Sequence, residues 1–278
     1  MASGYALSIG LNAVDPDHYA GWSGNLIACE ADARDMMAIA DSQKFKGTML
    51  LTRAATRKNV IAGITTAAGK LKKGDIFLLT YSGHGGQVPD TNGEESDGQD
   101  ETWCLFDGEM IDDELDALFA KFAAGVRILV FSDSCHSGTV TREAFLRGTP
   151  FEFPRDATGA PMKYRFMPPE VALRTYRENR KFYTQIARPF ADKKAPPHPK
   201  ASILLFSGCQ DNQTSADGTY NGLFTANLLR VWNNGRFKGD YTRFHRDILR
   251  RMPPDQSPNL YKTGAVDTAF YAQKPFTI

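Results

Sequence analysis

Residues 76–86 read Ile-Phe-Leu-Leu-Thr-Tyr-Ser-Gly-His-Gly-Gly, an apolar run that ends in a polar, glycine-rich turn. Residues 126–138 repeat this arrangement as Val-Arg-Ile-Leu-Val-Phe-Ser-Asp-Ser-Cys-His-Ser-Gly. Short apolar runs of this kind are typical of strands buried in a parallel sheet. Sites in open α/β sheets form beyond the carboxyl ends of such strands. We therefore predict a parallel sheet that presents His84 and Cys135 at one edge.

Further apolar runs alternate with amphipathic segments along the rest of the chain. We predict strands at 5–9, 48–51, 76–81, 126–131 and 202–206, with a last strand near 268–272, and helices at 26–40, 57–72, 112–123, and near 222–234 and 240–251. Asn25 is the predicted N-cap of the first helix, and the second helix is predicted to begin after Thr56. This alternation indicates a mainly parallel sheet covered by helices on both faces.

The composition excludes several classes of protein. The formal charge of +1 gives no global attraction to nucleic acid or to an anionic membrane, and no apolar run reaches the roughly 18 residues of a spanning helix. The N-terminus lacks the basic segment of a signal peptide. The four cysteines show no metal-ligand spacing, so we expect free thiols in a reducing cytoplasm, with Cys29, Cys104 and Cys209 in or near the core.

The two turns indicate a reactive site only when they are considered together, because one contains His84 and the other contains Cys135. A single His beside glycines is more often a plain turn residue, and a single Cys at a strand end is more often a small buried hydrophobe. As a pair, a thiolate is a nucleophile and an imidazole is its proton-transfer partner. We therefore take Cys135 and His84 as the candidate reactive pair. His136, beside the nucleophile in sequence, is expected to have a structural role.

The chain resembles the caspase-like superfamily and, within it, the metacaspases and the bacterial orthocaspases. The sequences SGHGGQ at 82–87 and DSCHSG at 133–138 are similar to that family's His and Cys boxes, and weaker similarity lies at 25–33, 94–101, 111–115 and 206–213. His84 and Cys135 are 51 residues apart, close to the roughly 50-residue spacing in caspases. Caspases carry QACRG where this chain has DSCHSG, which favours the metacaspase branch.

The resemblance implies one caspase-like peptidase domain over residues 1–278, a three-layer α/β/α sandwich with a mainly parallel six-stranded sheet. Residues 1–139 would be its large-subunit-like part, 140–200 an insertion or linker, and 201–278 its small-subunit-like part. The implied activity is that of a cysteine endopeptidase. Its partners would be proteins or peptides with Arg or Lys before the cleaved bond, and we expect it to act as a monomer.

The resemblance also implies roles for individual residues. Cys135 would be the nucleophile and His84 its partner, and the backbone N–H groups of Gly85 and Cys135 would bind the oxyanion. Asp32, Ser82 and Asp133 would line the pocket for the residue before the cleaved bond. Carboxylates suit Lys and especially Arg, which binds them through two parallel hydrogen bonds. An ordinary solvent-facing helix position is the alternative for Asp32.

Calcium is a further implication of the resemblance, although the chemistry itself needs no cofactor. Asp100, Asp112 and Asp113 align with family positions that bind Ca²⁺, an ion that prefers carboxylate oxygens. The family's further ligand is not matched, because position 142 is Arg and only the neighbouring Glu143 could replace it. A solvated acidic surface is the alternative for this acidic stretch.

Residues 140–200 are far longer than the dozen or so residues that a parallel crossover needs. Residues 163–200 carry ten Lys or Arg and three acids, whereas residues 90–116 carry twelve acids and no Lys or Arg. An enzyme with a pocket for Arg or Lys could cut its own chain in this basic segment, or an upstream protease could cut it there. A folded, uncut insertion packed on the sheet is the alternative.

Two other functions remain open at this point. The first is a caspase-like scaffold without activity that only binds partners; the presence of both Cys135 and His84 argues against it. The second is a doubly wound ligand-binding domain. The chain has neither a G-x-G-x-x-G turn after its first strand nor a G-x-x-x-x-G-K-[ST] loop.

Overall fold

A computed structural model describes residues 2–90, 98–134, 163–190, 198–209, 217, 220–254 and 256–278. Cys135, His136 and Glu143 lie outside the described residues, as do many of residues 140–200. Nine strands and eight α-helices lie in the described part. The strands are β1 Gly4–Gly10, β2 Lys46–Leu51, β3 Ile76–Ser82, β4 Gly85–Pro89, β5 Gln99–Leu105, β6 Gly108–Ile111, β7 Arg127–Asp133, β8 Ser202–Ser207 and β9 Asn259–Gly264. The helices are α1 Cys29–Ser42, α2 Arg57–Lys70, α3 Asp112–Phe119, α4 Pro169–Glu178, α5 Arg180–Ala187, α6 Leu223–Trp232, α7 Tyr241–Leu249 and α8 Thr268–Ala272.

Six strands form the central sheet in the order β2-β1-β3-β7-β8-β9. The first five are parallel, and β9 runs antiparallel to β8 at the edge. The four inner strands are almost entirely buried, which explains their continuous apolar runs. The predicted six-stranded, mainly parallel sheet is confirmed.

Helices cover both faces of this sheet. On one face α1, α6, α7 and α8 contribute to a buried apolar cluster that includes Met36, Phe224 and Phe244. On the other face α2 and α3 pack against the sheet with Val60, Ile64 and Phe119. The arrangement is therefore a three-layer α/β/α sandwich.

A second, antiparallel sheet of β4, β5 and β6 begins one residue after His84. The sequence did not predict it, because β4 and β6 have only five and four residues and β4 begins with two glycines. Helices α4 and α5 pack on this sheet, with Tyr183 beside Val88 and Ile111. Part of the 140–200 segment is therefore folded and packed on the small sheet.

Several predicted boundaries differ from the structure. Residues 268–272 form α8, with Asp267 as its N-cap, and the sixth strand lies at β9 instead. Helix α1 begins at Cys29 without a side-chain cap, so the prediction of Asn25 as N-cap is wrong. Helix α3 ends at Phe119, earlier than predicted. The start of α2 is confirmed, since Thr56 caps it by accepting from the Asn59 N–H.

Cys29, Cys104 and Cys209 are buried, as predicted. No helix among the described residues is both long enough and apolar enough to cross a membrane.

Candidate active site

The candidate site lies at the carboxyl edge of the central sheet. Ser82 ends β3 and Asp133 ends β7, and the two residues are directly paired across these neighbouring parallel strands. Asp32 reaches the same place from the first turn of α1, and its side chain is 1% exposed. The structure thus brings together the three residues that the sequence predicted to share a pocket.

The centre of this pocket is filled by the guanidinium group of Arg165, which is 0% exposed. Its Nη1 donates to the Ser82 hydroxyl at 2.8 Å and lies 3.0 Å from a carboxylate oxygen of Asp133. Its Nη2 donates to Asp32 at 2.8 Å and to Asp217 at 3.0 Å. Three carboxylates therefore surround one buried cation.

Asp32 accepts several hydrogen bonds in the pocket. It accepts from the Ser82 hydroxyl at 2.7 Å, from the Asn221 side chain at 2.9 Å and from the Gly222 N–H at 3.0 Å. Burial raises the pKa of Asp32 to about 6, although the charge of Arg165 and these hydrogen bonds oppose the rise. The charged form of this acid thus depends on a cation beside it.

Gly222 forms one wall of the pocket. A Cβ atom on Gly222 would lie 2.5 Å from Cζ, Nη1 and Nη2 of Arg165 at once. The flat face of the guanidinium therefore packs against Gly222, where there is room for a hydrogen atom but not for a Cβ atom. The backbone of Gly222 has φ −58° and ψ 152°, which any residue can adopt. Glycine is therefore required here because a side chain would not fit, and not because of the backbone conformation.

His84 lies at the tip of the turn after β3 and is 5% exposed. Its Nε2 lies 2.8 Å from the Gly24 carbonyl oxygen, which can only accept, so Nε2 carries the proton. Its buried Nδ1 has no hydrogen-bond partner among the described residues. Burial lowers the pKa of His84 to about 4, although the bond to Gly24 opposes this. The imidazole is therefore neutral near pH 7, with Nδ1 as its unprotonated nitrogen.

The turn that carries His84 is fixed by its neighbours. The Tyr81 hydroxyl donates to the His84 carbonyl at 2.6 Å, and the Cys104 N–H donates to the same oxygen at 3.0 Å. The Tyr81 ring stacks on Trp103 with ring centroids 4.4 Å apart. The backbone of the candidate base is thus held by two strands of different sheets.

The strand end before Cys135 is also fixed. The Trp103 indole donates to the Ser132 hydroxyl at 3.1 Å, and the Ser132 and Ser134 hydroxyls lie 2.9 Å apart. Ser134 is 1% exposed. Cys135 follows it directly in the chain.

The backbone of Arg165 meets the turn after His84. The Gly85 N–H donates to the Arg165 carbonyl oxygen at 2.9 Å. Gly85 was one of the two predicted oxyanion donors; the other, Cys135, lies outside the described residues.

The predicted calcium ligands are placed on two elements of the small-sheet region. Asp100 lies on β5, and Asp112 and Asp113 open α3. Within the described ranges, no group of three or more His, Cys, Asp or Glu side chains is arranged to hold a metal ion. Since Glu143 lies outside those ranges, calcium binding stays a prediction.

Sequence reasoning missed five residues of this site: Asp217, Asn221, Gly222, Gly24 and Arg165. The first three follow β8, the next parallel strand beyond β7, so the rule that sites form at strand ends pointed to this loop. Gly24 acts through its carbonyl group, which no sequence motif marks.

Comparisons with known proteins identify the family. A family model described as the caspase domain matches residues 3–273. Metacaspase-1B of Neurospora crassa is 29% identical over 95% of this chain and 67% of its own length, and Metacaspase-1 of Schizosaccharomyces pombe is 29% identical over 80% and 57%. The chain thus spans about half to two thirds of the curated relatives that it matches.

Among solved structures, the crystal structure of protein GSU0716 from Geobacter sulfurreducens is similar to this chain. It is 60% identical, with a TM-score of 0.88, over 99% of this chain and 98% of that one. The family match over nearly the whole chain and the metacaspase relatives lead to one conclusion: the chain belongs to the caspase-domain family and is a metacaspase-like member of this family of cysteine proteases.

Proposed function

We propose that the protein hydrolyses peptide bonds on the carboxyl side of arginine and, less readily, lysine. One observation carries this proposal. A buried guanidinium sits among Asp32, Asp133 and Asp217, while the carbonyl oxygen of the same arginine accepts from the Gly85 N–H. The acidic pocket and the Gly85 N–H are thus placed so that one arginine residue can fill the pocket with its side chain and contact the N–H with its carbonyl oxygen.

The proposed chemistry uses a Cys–His pair. Cys135 attacks the carbonyl carbon of the substrate arginine, and the Gly85 N–H stabilises the oxyanion. His84 accepts the thiol proton at Nδ1 and delivers it to the leaving amine. The Gly24 carbonyl holds the ring in the tautomer that leaves Nδ1 free. Water then hydrolyses the thioester.

The shape of the pocket favours Arg over Lys. The two terminal nitrogens of the guanidinium reach different acids, and its flat face lies on Gly222. A lysine ammonium is a compact point charge that cannot span these acids or stack on the glycine. An aspartate side chain would add a further negative charge to a pocket of three acids, so we expect Asp substrates to be rejected.

A panel of fluorogenic peptides that differ only in the residue before the cleaved bond tests this proposal. Arg peptides should be hydrolysed faster than Lys peptides, and Asp peptides should not be hydrolysed. Cys135→Ala should abolish turnover while the far-UV circular dichroism stays unchanged, and His84→Ala should be nearly as severe. A preference for Asp, or full turnover by Cys135→Ala, would overturn the proposal.

We propose calcium as an activator, and the same panel tests it. If Asp100, Asp112 and Asp113 contribute to a site, millimolar Ca²⁺ should raise the rate and Mg²⁺ should not, because Mg²⁺ demands stricter octahedral geometry. Equal rates in calcium and in a chelator would assign these acids to a solvated surface.

An inactive scaffold is the second candidate function. It is favoured by the fact that the chain's own Arg165 fills the pocket completely, which leaves no room for a substrate side chain. A thiol-reactive ketone built on arginine separates the two functions. An active protease becomes labelled at Cys135, whereas a scaffold with a permanently filled pocket does not.

A further inference from the structure

Trp22 packs against the imidazole of His84, with ring centroids 4.7 Å apart and an angle of 57° between the ring planes. The indole is half-buried, whereas His84 is 5% exposed. Trp22 lies two residues before Gly24, whose carbonyl oxygen accepts from Nε2 of His84 at 2.8 Å. The loop between β1 and α1, residues 11–28, therefore contacts the imidazole twice, once through a hydrogen bond and once through an aromatic ring.

Hydrogen bonds of the backbone hold Trp22 in this loop. The Trp22 N–H donates to the Tyr19 carbonyl at 2.9 Å, and the Val14 N–H donates to the Ser23 carbonyl at 3.0 Å. Tyr19 is 0% exposed, and its hydroxyl donates to the Leu105 carbonyl at the end of β5 at 2.7 Å. The position of Trp22 is therefore tied, through Tyr19, to the small sheet.

Gly24 shows how closely the indole and the imidazole approach each other. A Cβ atom on Gly24 would lie 2.8 Å from Cη2 of Trp22 and 3.0 Å from Cδ2 of His84. Gly24 also has a φ of +53°, which favours glycine. The Cδ2 edge of the imidazole is thus closely packed on the side of Gly24 and Trp22.

The two contacts fix different aspects of the imidazole. A hydrogen bond at Nε2 holds one point of the ring, and the ring could still turn about that point because χ2 of histidine has broad preferences. The indole of Trp22 is a second contact away from Nε2, and two contacts together define the plane of the ring. The direction in which Nδ1 of His84 points is therefore set by Trp22 together with Gly24.

The indole also affects the charge of His84, because it separates one side of the imidazole from water. Burial is the main cause that lowers the pKa of His84 to about 4. The other groups that act on this pKa come from three other segments of the chain and are Gly24, Arg165, Phe166 and Asp217. The charge of Arg165 lowers the pKa further, whereas the other three raise it.

We propose that Trp22 is a positioning residue for His84, which fixes the plane of the imidazole and shields it from water so that Nδ1 stays unprotonated. The consequence for catalysis rests on the proposed function, because Nδ1 is the atom that accepts the thiol proton there. The orientation and charge of the ring do not rest on that function, and both can be measured without any activity.

Nitrogen-15 spectra of the histidine rings test this in the full-length protein from about pH 5 to 8, with His84→Gln used to assign the signals of His84. In the wild type, we expect His84 to be the Nε2–H tautomer and not to titrate in this range. In Trp22→Ala, the pKa of His84 should rise by about one unit or more toward its ordinary value, because water reaches the ring. Trp22→Phe keeps an aromatic ring and should restore most of the wild-type behaviour.

Phe182→Ala is the matched control, because Phe182 is a half-buried aromatic residue that packs on another histidine of the same loop. This histidine is His18, and the ring centroids lie 5.0 Å apart. Burial lowers the pKa of His18 as well. Phe182→Ala should therefore raise the pKa of His18 and leave His84 unchanged, whereas Trp22→Ala should change His84.

Peptide hydrolysis provides a second readout. Because Trp22 acts through His84 and not on the substrate, Trp22→Ala should lower kcat for Arg peptides by about 10-fold or more and leave KM within about twofold. Trp22→Phe should recover most of the lost kcat. A rise in KM with an unchanged kcat would show that Trp22 binds substrate instead, which would overturn the inference.

A folded Trp22→Ala protein in which the tautomer and the pKa of His84 are unchanged would overturn the inference. An equal change of His84 in Phe182→Ala would overturn it too, because it would indicate a general loosening of the loop. If Trp22→Ala does not fold, the same spectra of Trp22→Leu decide, since leucine is apolar but has no ring, and an unchanged His84 would again overturn the inference. If none of these proteins hydrolyses Arg peptides, the proposed function fails, while the spectra still decide whether Trp22 positions His84.

Discussion

At the scale of single residues, the charge in the pocket does not balance. The side chains of Asp32, Asp133 and Asp217 are at most 3% exposed, and they face one arginine. Burying an ionised group costs on the order of several kcal/mol unless opposite charges and hydrogen bonds compensate. An empty pocket would hold three buried acids without the cation that now faces them. Whatever displaces Arg165 should therefore be a cation, which is the physical basis of the proposed specificity.

Gly222→Ala tests whether binding of a guanidinium requires the absence of a side chain at residue 222. The new methyl group would occupy the plane on which the guanidinium stacks, while the backbone conformation suits alanine. In an Arg165→Gln background, we expect kcat/KM for Arg peptides to fall by about 100-fold, equivalent to about 3 kcal/mol. Gly69→Ala is the control, because Gly69 lies in α2 with open space around it. An unchanged kcat/KM would remove Gly222 from the pocket.

The pH dependence of substrate binding tests Asp32. Burial raises the pKa of Asp32 to about 6 even with Arg165 beside it, so losing that cation should raise the pKa further. As the pH falls from 8 to 5, Asp32 becomes protonated and loses the charge that attracts a guanidinium. We expect KM for Arg peptides in the Arg165→Gln protein to rise over this range. Asp32→Asn should bind more weakly and flatten the rise, whereas a flat KM in the parent protein would contradict the assignment.

At the scale of secondary-structure elements, the burial of a strand determined whether it could be predicted from the sequence. The inner strands were predictable because burial on both faces gives them apolar runs. Strand β9 was missed because it is an edge strand with mostly half-buried and exposed residues. Residues 268–272 look more apolar, but only Phe270 of α8 is buried there.

The position of a residue relative to the buried strands also explains which site residues could be predicted. Ser82, His84 and Asp133 could be predicted because the strands themselves carry them to one edge of the sheet. Asp217 and Arg165 come from long connections, whose paths depend on contacts distant in sequence. Gly222 contributes by lacking a side chain, which leaves no chemical signal.

Helix α5 is anchored by a buried hydrogen bond from the Tyr183 hydroxyl to Glu109. Burial raises the pKa of Glu109 to about 7, although Tyr183 and Thr102 oppose the rise by hydrogen bonding. Because folding raises the pKa of the Glu109 carboxyl group, this group contributes to stability at low pH. The contribution declines as the pH rises from about 4.5 to 7.

Tyr183→Phe should therefore destabilise the protein more at pH 8.5 than at pH 5.5. At high pH the ionised Glu109 loses a donor, and the loss should amount to about 1–3 kcal/mol. Urea unfolding at both pH values measures this. Tyr176→Phe on α4 is the control, because its hydroxyl makes no hydrogen bond within the described part of the chain. An equal loss at both pH values would show that Glu109 is not the titrating partner.

At the scale of the whole molecule, the chain before Arg165 and the chain after it build one core. Strand β8 pairs with β7, and the cluster on one face of the sheet joins Met36 and Ile39 to Phe224 and Trp232. Neither part could bury these side chains without the other. A chain divided after Arg165 should consequently stay assembled as one domain.

Co-expression of residues 1–165 and 166–278 as separate chains tests this, whether or not the protein cuts itself. Because the shared sheet and both apolar clusters are kept, we expect the two chains to co-purify and to elute in gel filtration at the volume of intact Cys135→Ala. They should separate only in denaturant, with a lower urea midpoint than the intact chain, since the unfolded state gains the freedom of two chains. Elution of either chain alone would show that the connection through residues 163–167 is needed to hold the two parts together.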